Sequence, residues 1–210
     1  MTEPKLISGL RDIAGEYDAI VCDVWGVVHD GVKAYPEACE ALRAFRARYG
    51  KVVLLSNAPR PPAPVREQLR RFGVPDESYD AIVTSGGASR DDLAARAAKG
   101  PLKLFHIGPE ARDQVIYAGL NATRTGPEAA DIVLLSDLGD HDRETPDDYA
   151  DVLKELKARD LTVICANPDV MVPIGGKLIY CAGAVAREYE KLGGKVIYYG
   201  KPYPPIYAMA

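Results

Sequence analysis

The feature that most constrains the fold is a short apolar run, Ala19-Ile20-Val21-Cys22, which ends abruptly in one acid, Asp23, with Trp25 and Gly26 close behind. A run of this length, bounded by polar residues, reads as a buried strand. A strand that delivers a single carboxylate at its C-terminal end is how an open α/β sheet builds a reactive site. Two further runs end in the same way. Val52-Val53-Leu54-Leu55 closes in Ser56-Asn57, and Val196-Ile197-Tyr198-Tyr199 leads into Gly200-Lys201-Pro202. A carboxylate, a hydroxyl and an ammonium, each at a strand end, form a set suited to handling phosphate.

Between these runs, apolar segments alternate with amphipathic helical patterns, which indicates an α/β fold with a mainly parallel sheet. Strands are expected over residues 18–22, 52–55, 81–83, 102–107, 131–135, 161–165 and 196–199. A helix over residues 36–49 follows from Ala38, Leu42, Phe45 and Tyr49 at helical spacing, with Pro36 in the first turn and Gly50 at C′. Others are expected over residues 65–72 and 184–192, and after Thr145-Pro146-Asp147-Asp148, where a cap, a proline and acids suit a helix start.

Composition excludes several classes of function. The net charge is −4, from 26 basic and 30 acidic side chains, so neither a nucleic-acid surface nor a polybasic membrane surface is expected. The first residues lack the basic-then-apolar order of a signal peptide, and no apolar run is long enough to span a bilayer. Cys22, Cys39, Cys165 and Cys181 show neither metal-ligand spacing nor the density of a disulfide framework. Reduced thiols in a cytoplasmic protein are therefore expected, with Cys22 as small core packing. The oligomeric state stays open, a homo-oligomer being one alternative.

The residues at the strand ends resemble those of the haloacid dehalogenase superfamily, specifically its class IIA, the capped and sugar-phosphatase-like branch. Asp23-Val24-Trp25-Gly26-Val27 resembles the first motif of that family, Leu55-Ser56-Asn57 the second, and Gly200-Lys201-Pro202 the third. Thr84-Ser85-Gly86 and Ala166-Asn167-Pro168-Asp169 resemble segments that flank the cap. The resemblance implies a Rossmann-like parallel core with an inserted α/β cap domain. Residues 1–88 and 174–210 would form the core, and residues 89–173 the cap.

It also implies a phosphatase of a small phosphorylated metabolite that works through an aspartyl-phosphate. Asp23 would be the nucleophile, and Lys201 would neutralise charge on the intermediate. Ser56, Asn57, Trp25, Gly26, Asn167 and Asp169 would contact the phosphate or frame the substrate. A carboxylate attacks phosphorus well only where a cation screens the repulsion between anions, so Mg²⁺ is expected, with Asp23 and the Trp25 backbone carbonyl as ligands.

Two departures fall on the chemistry. Trp25 stands where the family carries a second aspartate that serves as general acid and base, a role worth roughly 10²–10⁴ in rate. Indole donates a hydrogen bond but does not shuttle protons near neutrality. Three explanations compete: a stand-in acid (Asp30, Asp137 or Asp169), a good leaving group that needs none, or a site that binds a phosphorylated ligand without turnover. The second departure is that the family's fourth motif, with the remaining metal-binding acids, does not occur in the sequence, which stops at Ala210. The strand bearing Asp23 is then expected to form an exposed apolar sheet edge, the sequence being a fragment or the edge being covered by another chain. His29, His106 and His141 are expected to be structural or exposed, and Asp137, Asp140, His141 and Asp142 to form a solvated loop.

Overall fold

The structure, a computed structural model, describes residues 6–174 and 176–210. Its internal contacts divide the chain into two compact units. The first joins the described residues up to Ser56 with Arg66–Val83 and Ala210, and the second joins Asn57–Val65 with Thr84–Met209.

In the first unit the chain runs through β1 (Ala19–Asp23), α1 (Pro36–Arg48), β2 (Lys51–Ser56), α2 (Pro62–Phe72, shared with the second unit) and β3 (Ala81–Thr84). The strands form a sheet in the order β1-β2-β3. β1 and β2 run parallel, with Ala19 opposite Lys51 and Asp23 opposite Leu55. Proline at the start of α1 costs no hydrogen bond, because the first N–H groups of a helix have no partner inside it. α1 buries Cys39, Leu42 and Phe45. Tyr49, expected on that face, is 44% exposed. Gly50 stands at C′ as expected, next after the cap residue Tyr49, and it has a second role. A Cβ there would sit 1.7 Å from the Asp18 carbonyl oxygen, so glycine allows two backbones to meet just before β1 and β2 pair. β1 ends the sheet, and Val21 on it is 52% exposed, as expected for an apolar edge.

The second unit contains α3 (Ser85–Ala97), β4 (Leu102–Ile107), α4 (Glu110–Asp113), β5 (Ala122–Arg124), β6 (Ile132–Leu135), α5 (Ala150–Ala158), β7 (Thr162–Cys165), β8 (Met171–Ile174), β9 (Lys177–Tyr180), α6 (Ala182–Lys191), β10 (Lys195–Tyr198) and α7 (Pro204–Met209). Its main sheet has the order β10-β7-β6-β4-β5, and every pairing in it is parallel. β10 follows residue 173 in sequence yet pairs with β7, so this sheet draws strands from both sides of the boundary placed there by the sequence.

Every residue of β6 is buried, which explains its unbroken apolar run: a parallel strand covered on both faces needs no polar alternation. Val133 and Leu135 join one apolar cluster with Leu153, Leu156, Val185 and Tyr189 from α5 and α6. Ile132 and Leu134 join a second cluster with Leu93 of α3 and Ile116. The Tyr189 hydroxyl donates to the Leu161 carbonyl at 2.6 Å, which satisfies a buried polar pair at the entry to β7. Before α5, the Asp148 carboxylate accepts from the Thr145 N–H, so the expected helix start is present, opening with a 3₁₀ turn over Pro146–Tyr149.

All seven expected strands form, with ends displaced by a residue or so. β5 and the antiparallel hairpin of β8 and β9 were not expected. They are short and largely exposed, so they lack the apolar runs that mark buried strands. The four cysteines are buried, Cys22 among them as expected. Among the described residues, no helix is long and apolar enough to cross a membrane.

Candidate active site

In the first unit the parallel register carries Asp23 and Ser56 to the same end of neighbouring strands. Asp23 lies opposite Leu55, and Ser56 is the next residue of β2. Asp23 is exposed, and its Oδ1 accepts the Val24 N–H at 2.7 Å. Ser56 is 9% exposed. The turn after Asp23 closes on the Val24 carbonyl, which accepts from the N–H of Val28 at 2.9 Å, while the Gly26 N–H donates to the His29 carbonyl at 2.8 Å. Gly26 has φ +76°, a left-handed conformation that disfavours a side chain, and the space where its Cβ would stand is open.

Trp25 folds back over this turn. A Cβ at Gly31 would come within 2.7 Å of the indole, so the ring lies directly on that glycine. The ring also meets His29 edge-on at 5.4 Å, and His29 meets Phe72 at 4.9 Å. His29 is buried, which lowers its pKa, and its Nδ1 accepts the Gly31 N–H at 2.9 Å. The indole thus packs the turn that presents Asp23.

The three stand-in acids have different surroundings. Asp30 Oδ1 accepts the N–H groups of Val32 and Lys33 at 2.9 and 2.8 Å. These bonds, Lys33 first, hold its carboxyl below the usual carboxylate range. It is ionised near neutrality and does not suit proton donation to a leaving group. Asp137, expected in a solvated loop, is instead 7% exposed. Its Oδ2 accepts from Arg112 Nη2 at 2.8 Å, and its Oδ1 accepts the Leu138 N–H at 3.0 Å. The loop beyond it, at Asp140 and Asp142, is exposed as expected. Asp169 is the candidate that the fold joins to other motif residues.

That junction lies in the second unit and is built around the Asn57 amide. Asn57 Oδ1 accepts the Lys201 N–H at 2.6 Å. Its Nδ2 donates to the Lys201 carbonyl at 3.1 Å and to Asp169 Oδ1 at 2.9 Å. Asn167, at the end of β7, turns the chain by accepting the Asp169 N–H on its own Oδ1 at 3.1 Å. Packing explains the glycine before Lys201. A Cβ on Gly200 would stand 2.4 Å from Pro168 Cδ and 2.5 Å from Asn57 Oδ1. Three segments far apart in sequence therefore meet at residues 57, 167–169 and 200–202.

Sequence reasoning missed a buried polar chain at the C-terminal ends of β4 and β6. His106 Nε2 is 2.9 Å from Ser136 Oγ, and Ser136 donates to Asp113 Oδ2 at 2.7 Å. Asp113, fully buried, takes a two-point contact from Arg112, with both distances 2.7 Å. His141 Nδ1 approaches Asp137 at 3.8 Å. The weak signal was Arg112-Asp113 in a stretch whose charges suggest a solvated face; pairing alone permits the burial. His106, expected to be structural or exposed, is buried.

Mg²⁺ takes near-octahedral oxygen ligands, commonly one or two carboxylates completed by waters and substrate oxygens. Among the described residues, no three His, Cys, Asp or Glu side chains gather around a common point. Asp23 and the Trp25 carbonyl, the expected ligands, lie two residues apart in the turn that follows β1, and both are oxygen donors of the kind this ion takes.

Residues 20–121 match the model of the haloacid dehalogenase-like hydrolases. A crystal structure of a haloacid dehalogenase-like hydrolase from Brucella suis shares 45% identity, covering 98% of this chain and 77% of that one, at a TM-score of 0.90. The chain belongs to the haloacid dehalogenase-like hydrolase family. More distant solved structures share the fold. A p-nitrophenyl phosphatase from Archaeoglobus fulgidus is 22% identical, over 92% of this chain and 72% of that one, at a TM-score of 0.68. A glycerol phosphate phosphatase from Mycobacterium tuberculosis, solved with magnesium, is 23% identical, over 94% of this chain and 59% of that one, also at 0.68. No protein of curated function matches the chain.

Proposed function

We propose that this haloacid dehalogenase-like hydrolase is a phosphatase of a small phosphorylated metabolite. The observation that carries the reading is Asp23, an exposed carboxylate at the C-terminal end of a parallel strand in a chain of this family. In this reading a carboxylate oxygen of Asp23 attacks phosphorus, and the bond from phosphorus to the leaving alcohol oxygen breaks. Water then cleaves the aspartyl-phosphate. Ser56 donates to a phosphate oxygen, and Lys201 offsets charge on the transferred group. When bound, Mg²⁺ would screen the repulsion between the two anions, with Asp23 and the Trp25 carbonyl as the ligands from this chain. The magnesium-bound phosphatase of the same fold supports that choice of ion.

Trp25 favours a second reading. With indole in place of the acid, and Asp30 held ionised, the chain would bind a phosphorylated ligand without turnover. A panel of sugar phosphates, nucleotides and p-nitrophenyl phosphate, with and without Mg²⁺, separates the two. Turnover confined to the aryl ester would indicate a site that lacks a proton donor for poor leaving groups. Thermal stabilisation by a phosphorylated compound with no turnover would favour the binding reading. Asp23→Asn is expected to lower any turnover at least a thousandfold with the melting temperature unchanged; retained activity would exclude Asp23 as nucleophile.

A further inference from the structure

We infer that Asn57 is a positioning residue that clamps the Lys201 main chain and the Asp169 carboxylate to one point, and that its side chain does not bind phosphate. The inference rests on the phosphatase reading for the role of Lys201, but the clamp itself is a matter of geometry. A primary amide offers two N–H donors and one oxygen acceptor. Both donors are engaged, one by Asp169 Oδ1 and one by the Lys201 carbonyl, and Oδ1 accepts the Lys201 N–H. Lys201 presents a donor and an acceptor to the same side chain, which fixes which end of the amide is oxygen and which is nitrogen.

The group is 8% exposed, so a phosphate oxygen could take an Asn57 donor only by displacing a bond already made in a buried setting. Close packing leaves little room for the clamp to relax. Gly200 lies against both Pro168 and the Asn57 oxygen. On the other side of the same turn, a Cβ on Gly183 would stand 2.1 Å from the Pro168 carbonyl, and the Gly183 N–H donates to the Asp169 carbonyl at 3.1 Å. The Asn167-Pro168-Asp169 turn is thus gripped from the start of α6 and from the segment after β10, and Asn57 joins it to Lys201. A displacement of this amide moves the lysine and the carboxylate together.

Two substitutions separate clamping from phosphate contact. Asn57→Ala removes every bond, whereas Asn57→Asp keeps an acceptor for the Lys201 N–H but sets a carboxylate against Asp169. Residue-resolved hydrogen exchange on the free protein should show Lys201 exchanging at least tenfold faster in Asn57→Ala. In Asn57→Asp it should stay within threefold of the wild type. Val133 and Leu134 in β6 should be unchanged in both variants, which establishes that the unit is folded. With p-nitrophenyl phosphate, Asn57→Ala should lower kcat at least tenfold with KM within threefold. Unchanged Lys201 exchange in Asn57→Ala, or a raised KM with kcat retained, would overturn the inference. If the wild type turns over no phosphate ester, the phosphatase reading fails by itself, and the exchange rates still decide the clamp.

Discussion

Acid should destabilise this protein through one buried imidazole. Ser136 directs its hydroxyl hydrogen to Asp113, so its oxygen receives the His106 Nε2–H, which places the neutral tautomer's proton on Nε2. His106 Nδ1 is buried and has no hydrogen-bond partner. A second proton would therefore sit on an unpaired, desolvated nitrogen. Burial pushes the His106 pKa down from 6.5 to about 4, against the opposing pull of the nearby Asp113 charge. The unfolded chain takes up its proton as pH falls through 6.5, and the folded chain only near 4. The stability linked to His106 is therefore whole above pH 6.5, is lost as pH falls between those values, and levels off below 4.

Integrating the difference gives a loss of about 2 kcal/mol at pH 5 and about 3 kcal/mol once both states are protonated. Urea unfolding at pH 7, 6 and 5, followed by circular dichroism, measures it when the wild type is compared with His106→Gln. The glutamine keeps an N–H donor and removes the titration, and the remaining acid-sensitive groups cancel in the difference. With a slope of roughly 2 kcal/mol per M, the wild-type midpoint should fall about 1 M further than that of the variant between pH 7 and 5. Parallel midpoints over that range would refute the assignment of an unpaired Nδ1.

Two further expectations concern packing and chemistry. Tyr189→Phe removes the donor to the Leu161 carbonyl within the core and should cost about 1–2 kcal/mol, read as a lower urea midpoint with an unchanged slope; no shift would mean that the carbonyl finds another partner. Trp25→Asp restores a carboxyl at the position of the missing acid and should raise turnover of alkyl phosphates roughly 10²-fold, the low end of what a general acid supplies, while aryl phosphate turnover changes little. Equal effects on both substrates would argue that leaving-group protonation does not limit the wild type.

The sequence by itself determined the strands that are buried on both faces, because an unbroken apolar run such as Ile132–Leu135 has no stable place except inside a parallel sheet. It also placed Asp23 and Ser56 at strand ends, since a polar residue closing such a run marks the point where the chain leaves the core, whereas Lys201 lies three residues beyond the end of β10. Short exposed strands such as β5 carry no comparable signal, and they were not legible. Only the tertiary structure decided which partners each polar group would take. Asp137 reads as one more acid in a charged loop, yet Arg112 makes it a buried one. Asn57 reads as a phosphate contact beside Ser56, yet residues more than a hundred positions away occupy its amide. Hydrogen bonding depends on distances of a few tenths of an ångström between atoms remote along the chain, and hydrophobic periodicity holds no record of those distances.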